Sequence, residues 1–114
     1  MYKKGEIYLA NLNPRKGIEV GKVRPVLIFQ TNFLNDIAHP TTIVLPLTTH
    51  LVNNAYPLRY RIGARDDLEQ TSEVLCDNIR TIDNKRILGK KLTTLSLRER
   101  LEVDAQVKLV LEVD

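Results

Sequence analysis

Hydrophobic and polar residues alternate along most of the chain, a pattern typical of β-strands with one buried face. In the segment 5–12, Ile7 and Leu9 are separated by a single residue, and the segment 58–62 alternates in the same way. Three further segments rich in β-branched and apolar residues complete the set: 24–30, 41–49 and 73–82. The pattern therefore predicts five strands in a mostly antiparallel, curled sheet.

The end of the chain has a helical period. Ser96 followed by Glu99 forms a capping-box sequence, which predicts a helix beginning at Leu97. The apolar residues beyond it fall in two rows, one with Leu97, Leu101, Ala105 and Leu109, the other with Val103, Val107, Val110 and Leu111. We expect one row to pack on the sheet and the other to meet a neighbouring element or a second subunit. The predicted fold class is mainly β (α+β), a small β-barrel with a C-terminal helix.

Length and composition add limits to this picture. A chain of 114 residues, 43% hydrophobic and 27% charged, suits a single domain over 1–114 with one modest core. No apolar run approaches the roughly 20 residues of a membrane-spanning helix, and no signal peptide is visible, so we expect a cytoplasmic protein without a membrane partner. The single cysteine, Cys76, cannot form an internal disulfide, and we expect it to be a small buried hydrophobe.

Charge suggests a polyanionic partner without requiring one. The formal net charge is +3, and basic residues concentrate in the segments 1–30 and 80–91. Two basic blocks in one small domain suit nucleic acid. Ordinary scatter of surface charge is the alternative, and charge taken alone favours it.

The usual cofactor and metal motifs do not occur. The chain has no Gly-rich phosphate loop, no CxxC pair and no HExxH helix. His39 and His50 stand in no spacing typical of zinc. We therefore expect neither a cofactor nor a metal. The long segment 13–23, with three basic residues and Glu19, is too polar to build a core, and a loop of this length in a small domain is more often functional than not.

Polar residues at the ends of the predicted strands are the remaining candidates for chemistry. They are Arg24, Thr48, Thr49, His50, Asp77, Asn78 and Arg80. Taken singly, each has an ordinary structural interpretation, such as a surface cation or a strand-end hydroxyl. Asp77, Asn78 and Arg80 interrupt an apolar segment, where such groups are costly to bury unless they are paired.

Several motifs in one order and spacing resemble the MazF/PemK family of toxin endoribonucleases. They are Gly5-Glu6-Ile7-Tyr8, Leu12-Asn13-Pro14, the segment 17–27 with its Val23-Arg24-Pro25-Val26, Pro46-Leu47-Thr48-Thr49, and the segment 77–83. The resemblance runs from Lys4 to about Val113. It implies a compact SH3-like β-barrel of the CcdB/Kid type that forms a homodimer. It also implies metal-independent cleavage of single-stranded RNA, often at a short sequence, and inhibition by a cognate antitoxin with an acidic, partly disordered tail.

The resemblance carries roles onto individual residues. Arg24 matches the family's catalytic arginine and Thr48 its catalytic threonine, while Glu19 and Asp77 match acids associated with activity. A guanidinium can hold two phosphate oxygens and a hydroxyl a third. RNA carries its own nucleophile, the 2′-hydroxyl, and its attack would give a 2′,3′-cyclic phosphate and a 5′-hydroxyl. The general base stays open among Glu19, Asp77 and His50, the last because imidazole ordinarily titrates near neutral pH.

Departures from the family pattern concern the RNA-binding loop. The family usually has Gly-Ser-Glu-Gln where this chain has Gly17-Ile18-Glu19-Val20, so its cleavage sequence does not carry over. Asn78 stands where glutamine is usual. We expect RNA contacts from Lys16, Gly17, Lys22, Thr49, Asn78 and Arg80, although Arg80 and Asp83 also suit ion pairing or dimer contacts. Two alternatives are a non-catalytic binding toxin of the gyrase-poison type and an inactive relative that binds RNA or antitoxin.

Overall fold

The computed structural model describes residues 2–14, 17–19 and 21–114. It contains seven strands among these residues: β1 (Glu6–Asn11), β2 (Val23–Ile28), β3 (Thr41–Thr48), β4 (Arg59–Ile62), β5 (Ser72–Leu75), β6 (Arg80–Asp83) and β7 (Ile87–Thr94). A short helix, α1 (Asn32–Asp36), follows β2, a single 3-10 turn (Asn84–Arg86) precedes β7, and the helix α2 (Leu97–Leu111) ends the fold.

The strands form one antiparallel sheet in the order β4-β5-β3-β2-β1-β7, and β6 pairs with the first half of β3. In the β2–β3 ladder, Val26 lies opposite Pro46 and Leu27 opposite Leu45. Continuing this register by two residues places Arg24, at the start of β2, opposite Thr48, at the end of β3. The pairing of two strands thus brings together residues that are 24 positions apart in sequence.

Each face of the curled sheet carries its own hydrophobic cluster. On β2 and β3, Leu27 and Leu45 belong to the first cluster, which Val103 and Val107 of α2 cover. Their sequence neighbours Val26, Ile28 and Val44 belong to the second cluster, because successive side chains of a strand point to opposite faces. The mainly β, barrel-like architecture with a C-terminal helix confirms the predicted fold class.

The predicted capping box begins α2. The Ser96 hydroxyl oxygen accepts from the Glu99 amide at 3.2 Å, and the Glu99 carboxylate accepts from the Ser96 amide at 2.8 Å. Only one of the two apolar rows is covered by the chain. Val103 and Val107 are buried, whereas Leu101 and Leu109 are each 57% exposed. Of the two expectations for the row that holds these leucines, a neighbouring element or a second subunit, contact with a second subunit stays a prediction.

The prediction of a single strand over 73–82 is wrong. The chain turns after Leu75, where the Asn78 amide donates to the Leu75 carbonyl at 3.1 Å, and resumes as β6 on a different part of β3. Asp77 and Asn78 favour a turn because their short polar side chains compete with strand pairing. The sequence pattern also missed α1 and β7. No helix in the described part of the chain has the length and apolar character needed to cross a membrane.

Candidate active site

Arg24 is fixed by backbone carbonyls at the start of β2. Its Nε donates to the Gly21 carbonyl at 2.9 Å and its Nη1 to the Leu47 carbonyl at 3.3 Å. The side chain is half-buried, and this burial lowers the pKa of the guanidinium from its ordinary value. An arginine retains its charge even so. The result is an oriented, partly desolvated cation at the mouth of a cleft, which suits the binding of an anion.

Thr48 ends β3 in a tight turn. Its Oγ1 accepts a hydrogen bond from the His50 amide at 3.1 Å. A hydroxyl has one proton and two lone pairs, so accepting from His50 leaves the Thr48 proton available to a further acceptor. The turn also exposes the side chains of Thr49 and His50.

A cleft of about 400 Å³ lies between these two strand ends. Its walls are Lys22, Val23, Arg24, Pro25, Leu47, Thr48, Thr49, His50 and Ser72. A second cleft of about 590 Å³ shares Pro25, Thr49 and Ser72 with the first and continues toward β1 and β7. The two clefts adjoin along these three residues and together form one open groove, with the arginine and the threonine lining the first cleft.

Glu19, Asn78 and Arg80 come together in a smaller cleft of about 230 Å³ that Pro46 also lines. Pro46 lies two residues before Thr48 on β3, and residues two apart share a face of a strand. The smaller cleft therefore opens on the face that carries Arg24 and Thr48. Glu19 from the 13–23 segment and Asn78 from the β5–β6 turn thus line a cleft on the same face as the central pair.

Other predicted residues have less central positions. Asp77 is exposed and lines none of these clefts, and its Oδ1 accepts from the Asn78 side-chain amide at 2.7 Å. Gly17 is exposed with a φ of 59°, a left-handed conformation that favours glycine. Lys16 lies outside the described residues. Lys22, by contrast, lines the cleft beside Arg24; it adopts a φ of 70°, and its amide donates to the Asn13 side chain at 2.8 Å.

Sequence reasoning missed a buried ion cluster behind the Thr48 turn. Glu73 on β5 is only 3% exposed, and its two oxygens pair with Arg59 at 2.9 Å and with Arg61 at 2.8 Å, both on β4. These cations and the Val52 amide lower the pKa of the carboxylate against the opposing effect of burial. The alternation of arginines in 58–62 was visible, but nothing in the sequence linked them to Glu73.

Cys76 lies in the core and has no role in the groove. It is fully buried, and burial, reinforced by the nearby Asp77 carboxylate, raises the pKa of its thiol to about 12. This fits the expectation of a small buried hydrophobe, because the thiolate is the nucleophilic form. Within the described residues, no group of three or more His, Cys, Asp or Glu side chains is placed to hold a metal ion.

Comparison with known proteins gives a consistent family. The family model described as PemK-like, MazF-like toxin of type II toxin–antitoxin system matches residues 3–111. A curated Staphylococcus epidermidis protein named Endoribonuclease MazF is 40% identical over 105 residues, which cover 91% of this chain and 86% of that protein.

Solved structures show the same fold. A MazF toxin from Mycobacterium tuberculosis is 25% identical and superposes with a TM-score of 0.77, covering 96% of this chain and 98% of that one. A structure described as an endoribonuclease in complex with its cognate antitoxin, from a mycobacterial species, is 20% identical. It has a TM-score of 0.78 and covers 100% of this chain and 98% of that one.

Proposed function

Since this chain belongs to the family of PemK-like, MazF-like toxins of type II toxin–antitoxin systems, we propose that it is an endoribonuclease that cleaves single-stranded RNA at a short preferred sequence. The observation that carries the proposal is the placement of Arg24 opposite Thr48 at the open ends of β2 and β3. Cleavage of messenger RNA in the cytoplasm would stop translation and growth.

RNA supplies its own nucleophile, so the protein mainly has to orient the phosphate and stabilise charge. The Arg24 guanidinium would hold two phosphate oxygens, and the Thr48 hydroxyl would donate to a non-bridging oxygen. The 2′-oxygen then bonds to phosphorus as the bond to the 5′-oxygen breaks. The products are a 2′,3′-cyclic phosphate and a 5′-hydroxyl, and the departing 5′-oxygen takes up a proton. Because Arg24 supplies the positive charge, the reaction should proceed in EDTA.

The proton of the 2′-hydroxyl has three candidate acceptors. His50 lines the same cleft as Thr48, and Glu19 lines the neighbouring cleft on the same face. Asp77 stands farther out and contacts that cleft through Asn78. The position of His50 favours it for a substrate phosphate held at Thr48, while Glu19 and Asp77 stay alternatives.

We also propose two protein partners. A type II toxin is neutralised by an antitoxin protein, and the end of the groove that carries Lys22 and Arg24 suits an acidic, disordered tail for the same electrostatic reason that it suits RNA. The second partner is another copy of this chain, because Leu101 and Leu109 form an exposed apolar row on α2.

The decisive experiment is cleavage of a long single-stranded RNA in EDTA, with cut sites and end groups mapped by sequencing. The purified protein should cut at a recurring short sequence and leave 5′-hydroxyl ends. Arg24→Ala and Thr48→Val should each lower the rate on the order of 10²–10³-fold, because each removes a preorganised group at the phosphate. Binding should weaken steeply with added salt, because basic side chains contact phosphates.

Lys108→Ala is a suitable control, because it removes an exposed cation from α2, away from the groove. It should cleave like the wild type. If folded wild-type protein left every tested RNA intact, the endoribonuclease proposal would fail. A binding toxin of the same fold, or an inactive relative, would then explain the fold that this chain shares with the toxin structures.

A further inference from the structure

The turn that carries Thr48 is attached to one buried carboxylate at two points. Arg59 donates through Nη1 both to the His50 carbonyl, at 2.8 Å, and to Glu73 Oε1, at 2.9 Å. The same Glu73 oxygen accepts from the Val52 amide at 3.0 Å. A shift of the segment 50–52, which begins two residues after Thr48, would therefore break the contact of His50 with Arg59 or that of Val52 with Glu73.

Sheet register places Glu73 next to the reaction centre. It is the direct neighbour of Thr48 in the β3–β5 ladder and of Arg61 in the β4–β5 ladder. Paired residues of adjacent strands project their side chains from the same face. The carboxylate thus lies on the Thr48 face of the sheet, one strand farther from Arg24.

The two arginines differ in what else they contact. A buried carboxylate needs a cationic partner because its desolvation is costly, and a single cation is enough to neutralise Glu73. Arg61 donates to the other oxygen and to the Asn53 side chain, at 2.9 Å. Arg59 instead bridges the carboxylate to the His50 carbonyl. Only Arg59 therefore connects the ion cluster to the residue whose amide donates to Thr48.

We propose that Arg59, held in place by Glu73, is a positioning residue that orients the Thr48 hydroxyl. The His50 carbonyl and the His50 amide flank the same Cα, so by holding the carbonyl Arg59 restrains the backbone rotation of His50, whose amide occupies one lone pair of Thr48 Oγ1. The Thr48 proton then points toward the groove, where a phosphate oxygen would lie. The kinetic consequence of this inference rests on the proposed endoribonuclease function. Its structural consequence, an ordered His50 backbone, rests on the hydrogen-bond geometry alone.

The kinetic test compares Arg59→Met with Arg61→Met. Each variant keeps an unbranched apolar stem and removes one cation from Glu73, so both should lower the melting temperature. Arg59→Met should lower kcat about 10-fold with KM changed less than twofold, because a displaced donor loses transition-state contacts rather than binding. Arg61→Met should leave both constants within twofold of the wild type.

A double-mutant cycle separates positioning from general destabilisation. If Arg59 acts through the Thr48 hydroxyl, Arg59→Met should cause no further loss of kcat in a Thr48→Val background. Single-turnover measurements at long times give the slow rates that this comparison needs. Equal losses of kcat in Arg59→Met and Arg61→Met, or a full 10-fold loss in the Thr48→Val background, would overturn the proposal.

A second measurement does not depend on cleavage. Hydrogen exchange of the His50 amide should be slow in the wild type and in Arg61→Met, and at least 10-fold faster in Arg59→Met. Arg59→Lys, which keeps a cation near Glu73 without the guanidinium fork, serves if Arg59→Met does not fold, and it should show the same faster exchange. Unchanged exchange would contradict the positioning role, while wild-type protein inert toward RNA would contradict only the proposed function.

Discussion

Arginine serves two different purposes in this chain, and the surroundings of the guanidinium decide which. Arg24 rests on two backbone carbonyls, and partial burial lowers its pKa. Arg65 forms a bidentate pair with Glu99, at 2.8 Å on both oxygens, and this raises its pKa. A cation oriented by neutral groups keeps its affinity for an incoming anion, whereas a cation already paired contributes to the fold. This contrast supports Arg24 as the phosphate-binding residue.

The Arg65–Glu99 pair should make stability depend on pH in acid. The hydrogen bonds from Arg65, aided by the Ser96 amide, lower the pKa of Glu99 to about 2. A carboxylate with a lowered pKa stabilises the folded state above the pKa of the unfolded chain, near 4.5, and loses that contribution as the pH falls toward 2. Arg65→Met should therefore reduce the unfolding free energy at pH 6 by on the order of 2 kcal/mol, with allowance for partial solvation.

The measurement is urea unfolding of both proteins at several pH values between 6 and 2. The difference between wild type and Arg65→Met should shrink through this range and vanish near its acid end. Arg98→Met, which removes an exposed cation 3.7 Å from Glu102, should differ little from the wild type at any pH. A difference for Arg65→Met that stayed constant with pH would show that packing, not charge, is what Arg65 contributes.

At the scale of elements, α2 has one face that belongs to the core and one that the chain leaves uncovered. Val103 is 1% exposed and packs against the sheet, while Leu101, two positions earlier, is 57% exposed. Val103→Ala should lower the unfolding free energy by about 2 kcal/mol, because it leaves a small cavity in a packed core.

Chemical denaturation of Val103→Ala and Leu101→Ala tests this assignment of faces. At concentrations low enough for the chain to be monomeric, Leu101→Ala should cost less than 1 kcal/mol, since an exposed side chain loses little contact. A larger cost for Leu101→Ala than for Val103→Ala in that regime would mean that the buried face of α2 is the other row.

The sequence pattern predicted the elements that carry a local signal of their own, and it missed those whose formation depends on partners distant in sequence. β3 and α2 were predicted because β-branched runs and a capping box are local signals. β7 was missed because its middle, Gly89-Lys90-Lys91, has no apolar face, and its pairing with β1 supplies what the sequence lacks. The segment 73–82 was predicted as one strand because apolar residues continue on both sides of the Asp77-Asn78 turn.

The candidate site shows the same division between local and distant information. Arg24 and Thr48 could be proposed from the resemblance, and their chain positions at strand ends were visible in the sequence. Their pairing follows from the β2–β3 register, which no local pattern fixes. The link from Glu73 through Arg59 to His50 joins three separate segments, so only the folded chain reveals it.

At the scale of the whole molecule, two surfaces of the described residues contrast in their chemistry. One is the groove beside Arg24 and Thr48, which is polar and cationic at its mouth. The other is the apolar row of α2, with Leu97, Leu101 and Leu109 all more than half exposed. Such a row on a small domain is typical of a surface buried in an assembly. The two surfaces lie on different elements of the fold.

We expect the protein to be a homodimer that associates through this row of α2. Size-exclusion chromatography with light scattering at micromolar concentration should give about twice the 13.1 kDa of one chain. Leu101→Glu places a charge in the contact and should shift the mass toward the monomer. Phe33→Glu is the matched control, because Phe33 is equally apolar, 70% exposed and located on α1, and this variant should stay dimeric. A wild-type mass near that of a single chain would contradict the predicted dimer. Dissociation by Phe33→Glu instead of Leu101→Glu would show that the interface includes α1 rather than this row of α2.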